Sequence, residues 1–231
     1  MFATTRWSLV MAAGAEDARG REALESLCRT YWFPVYALVR RRGEDPESAR
    51  DFTQEFFAEM LSRHVFGAAR REIGRFRSFV AQCLRNFLND QWDRSQAQKR
   101  GGGVTILSLD AESAEGRYLE AADSESPELV FDRQWAQEIL TGARRRLAEE
   151  LEASGRGVLL EVLDRQGSEG AQGLAAEAER MEIPINTLKT QMHRARHRHA
   201  AIIRELVAET VSSPLEVEDE LRHLLRVMAA S

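Results

Sequence analysis

The residues with the clearest capacity for chemistry are Asn186, Lys189, Thr190, His193 and His197, whose three- and four-residue steps place them on one side of a helix. Arg194, Arg196 and Arg198 flank that side, while Leu188, Met192, Ala195, Ile202 and Ile203 fall opposite, toward a core. Amides and cations gathered on one helical face can meet base edges and phosphates in a DNA groove. The plainer alternative is a solvated basic helix. His193 and His197 also have the four-residue spacing of a metal pair, but the sequence offers no third ligand and no metal site is expected.

Two more clusters stand out. Asp51, Glu55 and Glu59 recur every four residues beside an apolar row of Phe52, Phe56 and Met60. Such an acidic stripe suits a basic partner surface, although it is equally the ordinary outer face of a helix. Arg85, Asn86, Asn89, Asp90, Asp93 and Arg94 surround Trp92, and this mixture of forked donors, acceptors and a ring can hold extruded single-stranded bases and their backbone. Trp92 reads equally well as a core aromatic. There is no nucleophile elbow, phosphate loop, His-Glu-x-x-His run or convergent carboxylate pair, so neither an enzyme nor a cofactor is expected. Cys28 and Cys83 lie far apart among apolar residues and read as reduced core residues rather than a disulfide or zinc pair.

The elements that must carry these clusters are helices. Ala, Leu, Glu and Arg dominate, only five prolines and fifteen glycines occur in 231 residues, and nothing reads as a strand. Leu24, Leu27, Cys28, Tyr31, Val35, Leu38 and Val39 form the stripe of a first amphipathic helix ending at Gly43, with a kink or break expected at Pro34. Asp45-Pro46-Glu47 starts a second helix that runs to about Arg63. A third carries Phe76 to Leu88 and turns polar through Trp92 and Arg94, stopping before Gly101-Gly102-Gly103. Residues 101–125 lack periodicity and read as a mobile acidic linker. Ser126-Pro127-Glu128 opens the next helix, Val158 to Leu163 makes a short one closed by the turn-rich stretch 165–170, and Leu174 to Met181 another. A break at Glu182-Ile183-Pro184 precedes a long helix from Ile185 to Leu206, so the last two form a helix-turn-helix. Leu215, Val217, Leu221, Leu224, Leu225 and Met228 make one face of a C-terminal amphipathic helix, expected to pack within the chain or to receive a regulator.

Charge is distributed unevenly around a net value of -5. Residues 70–100 carry eight Arg or Lys against three acids, and 189–204 carry five against none, whereas 108–132 and 205–226 are acidic. Two basic surfaces suggest a chain that touches DNA twice. No apolar run approaches membrane-spanning length and the first residues lack a signal-peptide layout, so a cytoplasmic protein with no membrane partner is expected.

Thr187-Leu188-Lys189-Thr190-Gln191-Met192-His193-Arg194-Ala195-Arg196 closely resembles the region-four recognition helix of extracytoplasmic-function RNA polymerase sigma factors. Asp51-Phe52-Thr53-Gln54-Glu55-Phe56-Phe57 is similar to the region-two helix that binds the clamp helices of the largest polymerase subunit. Arg75-Phe76-Arg77-Ser78-Phe79, with Arg85-Asn86 and Asp90 downstream, resembles the segment that melts and reads the minus-ten element. Three motifs in the right order are more specific than any one. The likeness covers about 23–100 and 126–206, and Thr5 to Val10 and the tail near Glu216 to Met228 resemble additions found in one branch of these factors. The sequence departs from the pattern at Glu177, where a core leucine is usual, at Glu182, where glycine is usual, and at Pro184, which stands for a Ser or Thr cap.

The resemblance implies an all-α chain of two small helical domains joined by the linker. Residues 1–22 form an N-terminal extension, 23–100 region two, 126–206 region four and 207–231 a C-terminal helical extension. It implies core-polymerase binding through Asp51, Gln54, Glu55, Phe56 and Glu59. It assigns promoter DNA to Arg75, Arg77, Arg85, Asn86, Asn89, Asp90, Trp92 and Arg94 in region two, and to Asn186, Lys189, Thr190, His193, Arg194 and His197 in region four. Expected partners are core RNA polymerase, promoter DNA and an anti-sigma or other regulatory protein. The alternative is a helix-turn-helix regulator that acts without polymerase and needs a dimer to occupy paired half-sites.

Overall fold

The computed structural model of the chain describes residues 18–62, 75–95, 118 and 126–229. Among the described residues all regular structure is helical, and extended backbone pairs only at an isolated antiparallel bridge between Arg75 and Val211. The helices are α1 (Ala18–Arg41), α2 (Pro46–Ser62), α3 (Phe76–Ser95), α4 (Pro127–Ala153), α5 (Val158–Arg180), α6 (Ile185–Ala208) and α7 (Val217–Ala229), with a 3-10 turn at Pro214–Glu216. Two compact units result: residues 1–138 with 207–231, and residues 139–206. This division departs from the expected one, because the first turns of α4 and the whole C-terminal segment belong with the first unit. The greater part of the expected N-terminal extension and linker lies outside the described residues. Tyr118 is described, and its ring lies 4.7 Å from the Arg40 guanidinium.

In the first unit α1 is buried on every side rather than along one stripe, with residues 31–39 buried without interruption. It also runs unbroken through Pro34. A mid-helix proline costs about 3 kcal/mol. Burying Tyr31, Trp32, Phe33 and Tyr36 around it contributes roughly 1.5–3 kcal/mol for each large side chain, so packing outweighs the lost hydrogen bond. Tyr31 meets Phe76 edge-on at 5.0 Å, and Trp32 stacks on Tyr36 at 5.5 Å. Gly43 ends the helix as expected, with φ at +100° and its amide donating to the Arg40 carbonyl at 3.0 Å.

Both expected caps form. Asp45 Oδ1 accepts from the amides of Glu47 and Ser48 at 3.0 and 3.1 Å to open α2. The Ser48 hydroxyl, donating to the same carboxylate at 2.6 Å, is the chief reason that Asp45 titrates below its ordinary range. Ser126 opens α4 by accepting the Leu129 amide at 3.2 Å.

The second unit is built from the end of α4, α5 and α6 around Ala143, Leu147, Leu151, Leu159, Val162, Leu174, Ala178, Leu188, Met192 and Ile202. α5 is one helix where two were expected. Residues 165 and 177 of a straight helix would stand about 18 Å apart along its axis, yet Arg165 and Glu177 form an ion pair. Leu159 and Leu174 also enter the same core. The helix therefore bends across the glycine-bearing stretch read as a turn, where Gly167, Gly170 and Gly173 lower the cost of bending.

Candidate nucleic-acid interface

The turn between α5 and α6 holds Glu182 and Pro184, and Glu177 lies on the last turn of α5 before it. The Glu182 amide donates to the Glu179 carbonyl at 3.0 Å and the Ile183 amide to the Ala178 carbonyl at 3.1 Å, a paired closure that requires a left-handed residue at 182. Glu182 adopts it at φ +54°. The position thus has the conformation that favours glycine, and the glutamate bears backbone strain of about 1–2 kcal/mol. Pro184 caps α6 through its carbonyl alone, which accepts the amides of Thr187 and Leu188 at 2.9 and 3.1 Å. Glu177, in place of leucine, is held by Arg165 and by Arg180, whose Nη2 lies at 2.7 Å. The Arg180 hydrogen bond, then the nearby positive charge, keeps the Glu177 carboxyl below its ordinary range.

This turn presents α6 with Leu188, Met192, Ala195 and Ile202 buried and Ile203 half-buried. All six DNA candidates on the helix, Asn186, Lys189, Thr190, His193, Arg194 and His197, are exposed. The Thr190 hydroxyl donates to the Asn186 carbonyl at 2.9 Å, and the rings of His193 and His197 meet edge-on at 4.4 Å. Among the described residues no three His, Cys, Asp or Glu side chains converge as a metal site. Arg198, read at the margin of this face, turns inward to a bidentate pair with Glu150 at 2.7 Å and a bond to Glu205 at 2.7 Å. Its donors anchor the helix instead of facing outward.

In the first unit the acidic stripe of α2 divides by burial. Asp51 and Glu55 are exposed, Gln54 and Glu59 half-buried, and Phe56 is 2% exposed. Phe56 packs on Phe57 at 5.1 Å and Phe87 at 5.6 Å. Of the five residues assigned to polymerase, Phe56 is thus a core residue whose ring is sequestered between α2 and α3. A cleft of about 180 Å³ lies beside it, with Met60 and Phe87 at its floor and Glu59, Asn86 and Asp90 at its rim. Cys83 also lines it and is half-buried rather than fully buried, its thiol pushed up to about 11 by desolvation. Cys28 is fully buried.

On α3, Arg85, Asn86, Asn89 and Asp90 form one exposed stripe. Gln82 ties two of them, donating to Asn86 Oδ1 at 3.1 Å and accepting from Arg85 at 2.8 Å. Trp92 and Arg94 belong to the same helix, with side chains outside the described set.

Arg75 and Arg77 meet a different environment from the one their assignment implies. Arg77, with a side chain 13% exposed, donates through Nε to Glu220 at 2.8 Å and through Nη1 to Asp132 at 2.7 Å, and its guanidinium lies 5.3 Å from the Trp135 ring centre. Arg75 Nη1 lies 3.3 Å from Glu220 and Nη2 3.4 Å from Asp219. Glu220 is fully buried, and His223 Nε2 completes the cluster 3.0 Å from Asp132 Oδ2. Burial alone would raise the Asp132 carboxyl, but the hydrogen bond with His223 and the charge of Arg77 outweigh it and hold the group below its ordinary range. The Phe76 amide adds a bond to the Thr210 carbonyl at 2.8 Å.

Sequence reading missed this cluster. The apolar face expected from Leu215, Val217, Leu221, Leu224, Leu225 and Met228 is only partly the buried one: α7 buries Val217, Glu220, Leu224 and Val227 and leaves Leu215 88% and Leu225 65% exposed. The α7 face is rotated because two arginines supply the partners that allow a carboxylate inside. No local signal distinguishes Glu220 from Glu218 and Asp219 beside it.

Among the described residues no helix is long and apolar enough to cross a membrane. Compared with family models, with curated proteins and with solved structures, the chain matches none.

Proposed function

We propose that this chain is an extracytoplasmic-function type RNA polymerase sigma factor: a non-catalytic subunit that binds core polymerase, directs it to promoters and assists DNA opening. The observation that carries the reading is the α5–turn–α6 arrangement. One face of α6 is wholly spent on the core, and the other exposes six polar and cationic side chains starting at its N-terminal turn. A helix so presented fits a major groove, where Asn186 can pair with an adenine edge and Arg194 with a guanine edge or a phosphate. Support from the first unit is the exposed pair Asp51 and Glu55 on α2 and the exposed stripe Arg85, Asn86, Asn89 and Asp90 on α3. These would meet the clamp helices of the largest polymerase subunit and the opened minus-ten strand respectively. An anti-sigma or other regulatory protein remains part of the proposal as a partner of this surface.

Co-purification with core polymerase, combined with transcription from a defined promoter, tests the reading. Asp51→Lys with Glu55→Lys should abolish both while leaving the melting curve near the parent's, since exposed charges contribute about 0–1 kcal/mol to folding and reversed charges at an interface cost several. Lys189→Ala or Arg194→Ala should weaken promoter binding by about 1–3 kcal/mol if the side chain reads a base edge. A DNA-bound dimer that forms without polymerase, together with a charge-reversed protein that initiates normally, would refute it in favour of a stand-alone regulator.

A further inference from the structure

A cleft in the first unit, about 670 Å³ and open to solvent, is lined by Arg75, Asp219, Arg222, Leu225 and Arg226. Three guanidiniums there face a single carboxylate, and each element involved is fixed by something other than solvent. Arg75 is held by Asp219 and by fully buried Glu220. Arg222 reaches Asp219 at 2.8 Å, and Arg226 lies one turn further along α7, its Nε 3.4 Å from the Arg222 carbonyl. The burial of Val217, Glu220, Leu224 and Val227 sets the register that turns Arg222 and Arg226 outward. A capping box, in which the Ser213 amide donates to Glu216 Oε2 at 3.1 Å, sets where that segment starts.

We propose that this cleft is a seat for the phosphodiester backbone of DNA, with Arg222 and Arg226 of the C-terminal helix joining Arg75 on it. The proposal rests on the sigma reading above, in which Arg75 lies at the edge of the DNA-contacting segment, and it gives the C-terminal extension a task that the sequence left open. Guanidiniums suit a phosphate because each presents parallel donors to two oxygens. Asp219 and Glu220 hold Arg75 and Arg222 in place and neutralise part of their charge, which leaves one cation in excess among the three guanidiniums and two carboxylates. The other guanidinium of the segment, Arg77, is enclosed with Glu220 and Asp132, whereas Arg222 and Arg226 are exposed.

The test leaves Arg75 intact, because removing it would unpair buried Glu220. Full-length protein and its Arg222→Ala, Arg226→Ala variant are titrated with a short fluorescent DNA duplex of arbitrary sequence across a range of salt, with a melting curve for each. The proposal expects unchanged melting, several-fold weaker binding, and a plot of log affinity against log salt shallower by about 1 to 2. The Arg222→Lys, Arg226→Lys variant should keep the parental slope, since the charge is retained. Equal affinity and slope for the alanine variant, or a parent that binds no duplex at any salt, would overturn it. Tighter binding by the alanine variant would overturn it as well, making α7 a cover over the DNA surface. So would an unchanged duplex titration accompanied by lost affinity for polymerase, which would assign the cleft to a protein. The duplex titrations do not depend on the polymerase reading, whose own failure appears separately as a parent that binds duplex but never co-purifies with core polymerase.

Discussion

Replacing Glu220 by Ala should destabilise the first unit by about 3 kcal/mol. The carboxylate is fully buried, accepts from Arg77 Nε at 2.8 Å and lies 3.3 Å from Arg75 Nη1. Breaking a buried pair costs about 3–5 kcal/mol because the surviving charge stays desolvated. Arg77 would keep Asp132 at 2.7 Å, and its side chain is 13% rather than 0% exposed, which points to the lower end of that range. Against a total of about 5–15 kcal/mol for a domain, this is a large share. The two tryptophans whose side chains are described, Trp32 and Trp135, are buried in the first unit, so tryptophan fluorescence in a urea titration reports on that unit while circular dichroism follows both. The fluorescence midpoint should fall steeply in Glu220→Ala, and the loss should persist at high salt because buried pairs are poorly screened. Asp219→Ala, in which a half-exposed carboxylate 3.4 Å from Arg75 is removed, should cost no more than about 1 kcal/mol. A Glu220→Ala loss as small as that, or one that vanishes in salt, would show that the cluster behaves as a surface ion pair and that α7 is held by its apolar residues alone.

Glu182→Gly should stabilise the second unit by about 1 kcal/mol by relieving the left-handed glutamate, read as a raised circular-dichroism midpoint without change in fluorescence. A lowered midpoint would mean that the glutamate side chain contributes more than its backbone costs. Phe56→Ala should cost about 3–5 kcal/mol, seen in the fluorescence titration, with any loss of polymerase binding following from unfolding; weak polymerase binding by a fully stable variant would refute its place in the core. His199 is pushed below the ordinary histidine value, first by burial and then by Arg144. The folded second unit therefore binds that proton less readily than the unfolded chain, and the related stability is intact above about pH 6.5 and lost as pH falls through it. His199→Gln should flatten the pH dependence in that window, and an unchanged profile would refute the assignment.

What the sequence determined by itself is what neighbouring residues decide. Asp45 and Ser126 cap helices because a side-chain oxygen reaches amides two or three residues on, and Gly43 ends α1 because it alone of its neighbours takes φ of +100° at no cost. The opposed faces of α6 follow from the 3.6-residue period once Leu188, Met192 and Ala195 have a core to enter. Even the odd residue at 182 was legible as a departure, since the turn that demands it is local. Tertiary structure decided where local preference met a stronger distant interaction. Aromatic packing on every side carried α1 through Pro34, and a shared core with an ion pair bent α5 where the glycines announced a stop. Phe56 went inward beside Phe87 although its acidic neighbours stayed out. Arg77 and Glu220, 143 residues apart, could not be paired from sequence. Each reads as a solvated charge until chain closure brings them together, and only mutual neutralisation makes their burial tolerable.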